Sequence, residues 1–184
     1  MMDFQQVMGF LVRQFAEQRV EYAVIGGFAL GAWGIQRGTM DIDLLINARD
    51  LPTVDAIMAA HLYRLRHRTE NVSQFVADVK PLGSIDLLHA FRAHALAMLQ
   101  RARRLPFFET RLQIPVAIPE DLMGLKLQAM RNNPSRQPLE IADIHLLMRQ
   151  CAATMDWELA EHYFVLFGQQ QLFQELRTIY HAVD

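Results

Sequence analysis

One stretch constrains the fold of this chain more than any other: residues 22–47, YAVIGGFALGAWGIQRGTMDIDLLIN. An apolar run ends at Gly26-Gly27, a segment of small residues follows, and the alternation Asp41-Ile42-Asp43 opens a second apolar run. This order predicts a strand, a glycine turn, a short helix and a second strand. Because residues two apart in a strand share a face, we expect Asp41 and Asp43 to point the same way.

The paired acids and the glycine turn both indicate a binding site for charged ligands. Two neighbouring carboxylates repel each other, and folded proteins keep such pairs mainly where a cation lies between them. A Gly-Gly turn at the start of a helix leaves backbone N–H groups that can receive phosphate oxygens. Phosphate contacts at Gly26 and Gly27, beside a metal held by Asp41 and Asp43, would suit nucleotide chemistry.

Asp86 is a third acid of interest because it lies in the otherwise apolar run 84–88, which reads as a strand. Burying a lone carboxylate is costly unless it is paired or bound to a cation. If this strand lies beside that of Asp41 and Asp43, the three acids form a trio on one face of the sheet. Such a trio can hold one or two Mg²⁺ ions, with Asp86 as the candidate general base.

The remaining pattern predicts an α/β (α+β) core over 1–118 and an all-helical region over 119–184 packed on that core. Asp50 is the predicted N-cap of the helix that starts at Leu51. Helical spacing and end signals predict helices over 3–18, 51–61, 92–101, 119–131, 138–150, 156–167 and 169–182. Alternation and turn residues predict strands over 63–68, 73–79, 84–88 and parts of 105–118.

These motifs together resemble the nucleotidyltransferase superfamily. The resemblance rests on a glycine pair, a basic and a hydroxyl residue before the paired acids, and a later isolated acid: Gly26, Gly27, Arg37, Thr39, Asp41, Asp43 and Asp86. The segment 119–122 with Lys126, followed by Asp143, resembles the carboxy-terminal motifs of the AbiEii-type branch, which contains many bacterial toxin-antitoxin toxins. The resemblance implies a nucleotidyltransferase-like mixed sheet flanked by helices, with a C-terminal helical bundle.

The resemblance also implies an activity and its residues. The activity is Mg²⁺-dependent transfer of a nucleoside monophosphate from an NTP, such as ATP, to an RNA or protein acceptor. The implied metal ligands are Asp41, Asp43 and Asp86, and the implied nucleotide contacts are Gly26, Gly27, Arg37, Thr39, Lys126 and Asp143. Where relatives often carry a Lys-Asp pair shortly before the last acid, this chain has Pro138-Leu139-Glu140.

Two other functions stay open at this point. One keeps the chemistry and changes the acceptor to a small molecule such as an aminoglycoside or lincosamide antibiotic. The other is a non-catalytic protein that binds nucleotide, an antitoxin or a second copy through the helical region. Arg64, Arg66 and Arg68 alternate in one predicted strand, so they are expected on one face, which would either guide an anionic acceptor or simply be solvated.

Composition limits the cellular setting. The formal net charge of −2 gives no bulk attraction to nucleic acid, so RNA binding would need a local basic patch. No apolar run approaches the roughly 20 residues that a membrane span needs, and residues 1–20 lack the pattern of a signal peptide. The single Cys151 excludes an internal disulfide. We therefore expect a cytoplasmic protein without a membrane partner.

Overall fold

The computed structural model describes residues 2–39, 41–79, 81–107 and 112–181. The chain divides into two compact units, one of Met1–Ala32 with Gln36–Ala117 and one of Trp33–Ile35 with Ile118–Asp184. In the described residues the first unit holds one seven-stranded mixed sheet with helices, and the second is helical. The predicted mixed α/β class is therefore confirmed.

Elements of the first unit follow the predicted order closely. The helices are α1 (Phe4–Glu17), α2 (Gly26–Ala32), α3 (Leu51–Ala60) and α4 (Ala93–Arg101). The strands are β1 (Tyr22–Ile25), β2 (Ile42–Asn47), β3 (Tyr63–Arg68), β4 (Val72–Ala77), β5 (Ser84–Ala90), β6 (Arg103–Pro106) and β7 (Gln113–Val116). Part of the predicted strand region 105–118, residues 108–111, lies outside the described residues.

The sheet order brings two distant strands together at its centre. The order is β3-β4-β5-β2-β1-β7-β6, with β2 parallel to β5 and antiparallel to β1. The strand β5 is antiparallel to β4, and β4 is antiparallel to β3. In the β2–β5 ladder Asp43 lies opposite Asp86, and in the β4–β5 ladder Gln74 lies opposite Asp86. Residues opposite each other share a face, so this register decides which side chains meet.

One predicted cap is wrong in part. Asp50 stands directly before α3, as predicted, but its side chain makes no capping hydrogen bond, because it also ends the 3₁₀ turn Ala48–Asp50 and has helical backbone angles, φ −91° and ψ −4°. An N-cap needs extended backbone to aim its side chain at the helix N–H groups. The Asp50 carboxylate instead accepts a hydrogen bond from the Glu21 N–H at 2.9 Å.

The predicted common face of the three β3 arginines is also wrong. A bulge shifts the register between Leu65 and His67, so that Arg64 lies opposite Val76 but Arg68 lies opposite Ser73. Val76 and Ser73 are three residues apart in β4 and face opposite sides of the sheet. Arg64 therefore shares the face of Gln74 and Asp86, whereas Arg68 lies on the other face and pairs with Asp55 of α3.

The helical unit has four helices in its described part: α5 (Pro119–Asn132), α6 (Gln137–Cys151), α7 (Trp157–Leu166) and α8 (Gln170–Tyr180). Pro119 opens α5, where its fixed φ and missing N–H are tolerated. Gly124 allows α7 to pack closely, because a Cβ there would lie 2.7 Å from the Tyr163 ring. Among the described helices none has the length and apolar character that a membrane crossing requires.

Candidate active site

The glycine turn packs directly on an acid of the neighbouring strand. Gly26 ends β1 and opens α2 with φ +65°, a conformation that side chains rarely adopt. A Cβ at this position would lie 2.0 Å from Asp43 Oδ2. Glycine is therefore required both by the backbone angle and by the closeness of the Asp43 carboxylate.

The next glycine lies against two other predicted site residues. A Cβ at Gly27 would lie 2.8 Å from an Arg37 guanidinium nitrogen and 3.1 Å from Thr39 Cβ. The Thr39 hydroxyl donates to the Asp41 carbonyl oxygen at 3.0 Å, which fixes the approach of the chain to β2. The structure thus brings the glycine turn, Arg37 and Thr39 together with the start of the strand that carries Asp43.

Asp43 and Asp86 lie on one face of the sheet, and Asp41, the residue before β2, is held next to them by a hydrogen bond from Ser84. Asp43 and Asp86 are opposite neighbours on parallel strands, and Asp41 precedes Asp43 by two residues. Ser84, two residues before Asp86, donates its hydroxyl hydrogen to Asp41 Oδ1. The predicted neighbourhood of these strands is correct, and β5 is the strand that carries the third acid.

Asp86 is held in an electrostatically unfavourable position. Burial raises the pKa of its carboxyl above the ordinary value of 3.8, and the nearby charge of Asp41 raises it further. A hydrogen bond from Gln74 and the charge of Arg66 act in the opposite direction but do not cancel the effect. Its Oδ1 atom is buried and has no hydrogen-bond partner among the residues that the structure describes. A buried carboxylate oxygen without a partner is rare and calls for an explanation.

The donor chemistry of this face fits a hard divalent cation. Carboxylate oxygens are the ligands that Mg²⁺ prefers, and a cation would supply the partner that Asp86 Oδ1 lacks. As the described side chains lie, however, no three His, Cys, Asp or Glu residues are grouped closely enough to enclose a metal ion. One Asp41 oxygen is engaged by Ser84. The sheet therefore aligns the three acids without closing them into a single coordination shell.

The other two predicted nucleotide contacts belong to the helical unit. Lys126 donates to Glu140 Oε2 at 3.1 Å and to Asp143 Oδ2 at 2.5 Å. Arg136 donates twice to the other Glu140 oxygen, at 2.8 and 2.5 Å. Lys126 is 7% exposed, and both acids are 2% exposed. This buried network contains Glu140, the last residue of the segment Pro138-Leu139-Glu140.

The sequence did not single out Ser84 and Gln74 as neighbours of the aspartates, and it indicated Arg66 only as part of an arginine face, without placing it near Asp86. The alternation in 84–88 carried a signal for Ser84, since it stands two residues before Asp86 and so shares its face. Gln74 and Arg66 depend on the pairing of β4 with β5 and on the bulge in β3. Strand pairing is a tertiary property, and the alternation of residues within one strand does not determine which strand lies beside it.

Two cavities of the first unit, of about 390 and 370 Å³, are lined by residues other than these acids. The candidate site is identified by its chemistry rather than by a deep cavity. Comparison with known proteins therefore provides a separate test of the fold.

No protein-family model and no curated protein sequence matches the chain, whereas solved structures do. The crystal structure of ANT(2'')-Ia in complex with adenylyl-2''-tobramycin has a TM-score of 0.66 at 13% identity, covering 90% of this chain and 97% of that chain. The lincomycin-bound lincosamide antibiotic adenylyltransferase LnuA has a TM-score of 0.53 at 15% identity, covering 78% of this chain and 95% of that chain.

A third neighbour is an antigenic nucleotidyltransferase-like protein from Paracoccidioides brasiliensis, with a TM-score of 0.58 at 15% identity and coverage of 97% of both chains. At these identities the likeness is one of fold. Its extent confirms the fold predicted from the glycine and aspartate motifs: the chain has a nucleotidyltransferase-like architecture, a seven-stranded mixed sheet flanked by helices.

Proposed function

We propose that this protein is a divalent-metal-dependent nucleotidyltransferase that moves a nucleoside monophosphate from an NTP to an acceptor on RNA or protein. The observation that carries the proposal is the buried oxygen of Asp86, which has no hydrogen-bond partner among the described residues. Asp86 lies in register with Asp43, the acid that packs against Gly26. A carboxylate kept in this state is expected where a cation completes its surroundings. The fold of the chain, shared with a named adenylyltransferase, agrees with this chemistry.

Different residues would have different roles in the proposed reaction. Mg²⁺, when bound by the aspartates, would neutralise triphosphate charge and stabilise the departing pyrophosphate. The acceptor oxygen attacks the α-phosphorus, the α–β phosphoanhydride bond breaks, and pyrophosphate leaves. Asp86, whose pKa is raised by burial, would take the proton of the acceptor hydroxyl. Backbone N–H groups at Gly26 and Gly27, with Arg37 and Thr39 beside them, would orient the phosphates.

The charge beside Asp86 favours an anionic acceptor. Arg66 lies at the bulge of β3, close enough for its charge to lower the pKa of Asp86. Arg64 shares the same face of the sheet, although its charge is partly balanced by Asp78 at 3.3 Å. Moving outwards from Asp86 through β4 to β3, an acceptor would meet basic side chains. Such a surface attracts phosphates and repels a cationic aminoglycoside.

A small-molecule acceptor is the second candidate, and the fold comparison favours it. One neighbour was solved with adenylyl-2''-tobramycin, and another is a lincosamide adenylyltransferase with lincomycin bound. The first of these matches along 90% of this chain. Transfer to an antibiotic would use the same three aspartates and would differ only in the acceptor surface.

An activity assay tests the proposal and ranks the two acceptor classes. The full chain is incubated with Mg²⁺ and each of four α-³²P-labelled NTPs in separate reactions, with total RNA, with cell lysate, or with tobramycin and lincomycin. We expect label to enter RNA or protein with a preference for one NTP. Label in the antibiotic alone would replace the first candidate by the second. No labelled product with any acceptor, despite measurable NTP binding, would overturn both.

Reversing the charge of Arg66 should separate acceptor binding from NTP binding. With an anionic acceptor, Arg66→Glu is expected to raise the KM for the acceptor about tenfold, because an attraction worth roughly 1.4 kcal/mol is lost. The KM for the NTP should change little. Arg92→Glu, on another exposed arginine of the same unit, is the matched control. A lower acceptor KM in Arg66→Glu would instead indicate a cationic acceptor.

The helical unit would supply the remaining proposed interactions. Nucleotide contacts by Lys126 and Asp143, and a toxin role controlled by an antitoxin or by dimerisation, rest on the AbiEii-type resemblance. The aromatic side chains of Phe164 and Phe173 are buried within the unit and so are not available to a partner. A partner would instead meet the apolar side chains that the unit exposes: Leu139, Leu146, Val165, Leu166 and Ile179.

A further inference from the structure

A cavity separate from the candidate active site lies at the end of β1 that is opposite the glycine turn. It has a volume of about 390 Å³, within the range of small-ligand sites. Tyr22, the first residue of β1, lines it, whereas Gly26 follows the last residue of that strand. The aspartates of the candidate active site do not line this cavity. A ligand here would therefore be separate from the nucleotide chemistry.

One wall of the cavity is apolar. Val12, Phe15 and Ala16 of α1 contribute to it, and Phe15 is fully buried. The Tyr22 ring packs edge-on against Phe15 with 4.9 Å between ring centroids. Burial raises the pKa of Tyr22 to about 12, and the charge of Arg104 acts against that rise, which places the guanidinium near the phenol. The wall thus offers an apolar surface bordered by a cation.

The charged lining carries an excess of positive charge. Three arginines, Arg19, Arg49 and Arg104, face one acid, Glu21. Arg49 is already balanced, since it lies 3.3 Å from Glu21 and 3.6 Å from Asp50. Arg104 makes one long hydrogen bond, of 3.4 Å, to the Gln113 carbonyl oxygen. Within the described chain neither Arg19 nor Arg104 has an ion-pair partner, so two guanidinium groups are available to an anion.

Arg19 occupies a backbone position where glycine would be favoured. Arg19 follows Gln18, the C-cap of α1, and has φ +55°. The Arg19 N–H donates to the Ala16 carbonyl oxygen, and the Val20 N–H donates to the Phe15 carbonyl oxygen. This pattern ends a helix with a left-handed residue, which is usually glycine. A side chain there strains the backbone. The backbone at this position would favour glycine, so the arginine is better explained by the charge that it brings to the cavity.

We propose that this cavity binds a compact organic phosphate, a phosphate monoester that carries a small aromatic or apolar group. The doubly charged phosphate matches Arg19 and Arg104, because guanidinium groups bind phosphate oxygens through paired hydrogen bonds. The attached group covers the apolar wall formed by α1 and the Tyr22 ring. Inorganic phosphate alone would satisfy the charges and leave that wall uncovered.

Calorimetric titration of the full chain with phenyl phosphate tests this site. We expect saturable binding that is at least about tenfold tighter than binding of inorganic phosphate or of neutral benzyl alcohol. Arg104→Gln and Arg19→Gly should each weaken phenyl phosphate binding about tenfold, the loss expected for a charged hydrogen bond. The control is Arg13→Gln, because Arg13 lies in α1 but does not line this cavity, and it should leave binding unchanged.

The variants are chosen so that misfolding cannot imitate the result. Arg19→Gly replaces a strained residue by the one its backbone favours, so its thermal unfolding midpoint should equal or exceed that of the wild type. Asp43→Asn with Asp86→Asn removes the candidate active site and should leave phenyl phosphate binding intact. Binding that persists in both arginine variants, that is lost in the aspartate variant, or that is absent throughout the millimolar range would overturn the proposal.

Discussion

Asp86→Asn is expected to abolish nucleotide transfer and, at the same time, to raise the thermal unfolding midpoint of the metal-free protein. The substitution keeps the shape of the side chain and removes the charge that burial disfavours. When the pKa of a carboxyl is raised in the folded state, the fold loses stability as the pH rises above the ordinary pKa of that group, here 3.8. A neutral amide has no charge to bury, so the substitution relieves this loss wherever the Asp86 carboxyl would be ionised.

The loss of activity should be large because the charge of Asp86 serves the reaction. A metal ligand or proton acceptor contributes several kcal/mol to the transition state, so we expect kcat/KM to fall about 10³-fold or more. Saturating Mg²⁺ should raise the unfolding midpoint of the wild type and not that of Asp86→Asn. The Mg²⁺ effect reports binding independently of catalysis.

The control for this experiment is Asp78→Asn, which changes an acid of the same unit whose side chain is 80% exposed. It should leave stability and the Mg²⁺ response close to wild type, and any change in activity should be confined to the KM for the acceptor, because Asp78 balances Arg64. A destabilised Asp86→Asn variant, with activity lost only in proportion to folding, would show that Asp86 is a structural residue. An equal response to Mg²⁺ in both proteins would place the cation elsewhere.

The sequence predicted the centre of the sheet well because local pattern and tertiary role agree there. An apolar run, two glycines and alternating acids permit few arrangements, and the strand of Asp86 pairs with that of Asp43 as expected. The helices 3–18 and 119–131 were equally clear from their apolar spacing and end residues, and α1 and α5 lie within a residue or two of those bounds.

Three features could not be predicted from the sequence, each for a different physical reason. A single bulge residue in β3 moved Arg68 to the opposite face, and alternation cannot reveal an added residue. Asp50 has the composition of an N-cap but lies in a 3₁₀ turn that competes for its backbone. The partners of Lys126 come from a separate helix, and their contacts depend on helix packing.

Lys126→Met should destabilise the helical unit by about 3–5 kcal/mol, the usual cost of breaking a buried ion pair by removing one partner. Without Lys126, Asp143 and one Glu140 oxygen lose a bonded cation at sites that are 2% exposed. Methionine fills similar volume, so the loss measures charge rather than a cavity. Both tryptophans of the chain, Trp33 and Trp157, belong to this unit. Urea unfolding followed by tryptophan fluorescence therefore reports on it directly.

The pH dependence of this loss identifies its cause. Burial alone would raise the pKa of Glu140, but Lys126 and Arg136 together hold it below its ordinary value of 4.5. In the wild type this group stabilises the fold above that value, and the contribution is lost as the pH falls through the lowered pKa. In Lys126→Met the Glu140 carboxylate loses one of the cations that lower its pKa, so it becomes neutral more readily on acidification. The stability difference between the two proteins should therefore shrink as the pH falls towards 4.

Two further variants separate a structural role of Lys126 from nucleotide binding. Adding Asp143→Leu to Lys126→Met removes the acid that has lost its bond to Lys126 and should recover much of the lost stability, because Arg136 still bonds Glu140. Arg136→Gln removes a cation that is 52% exposed and should cost about 1 kcal/mol or less. If Lys126 instead binds triphosphate, Lys126→Met would unfold within about 0.5 kcal/mol of wild type, as surface changes do, and raise the KM for the NTP.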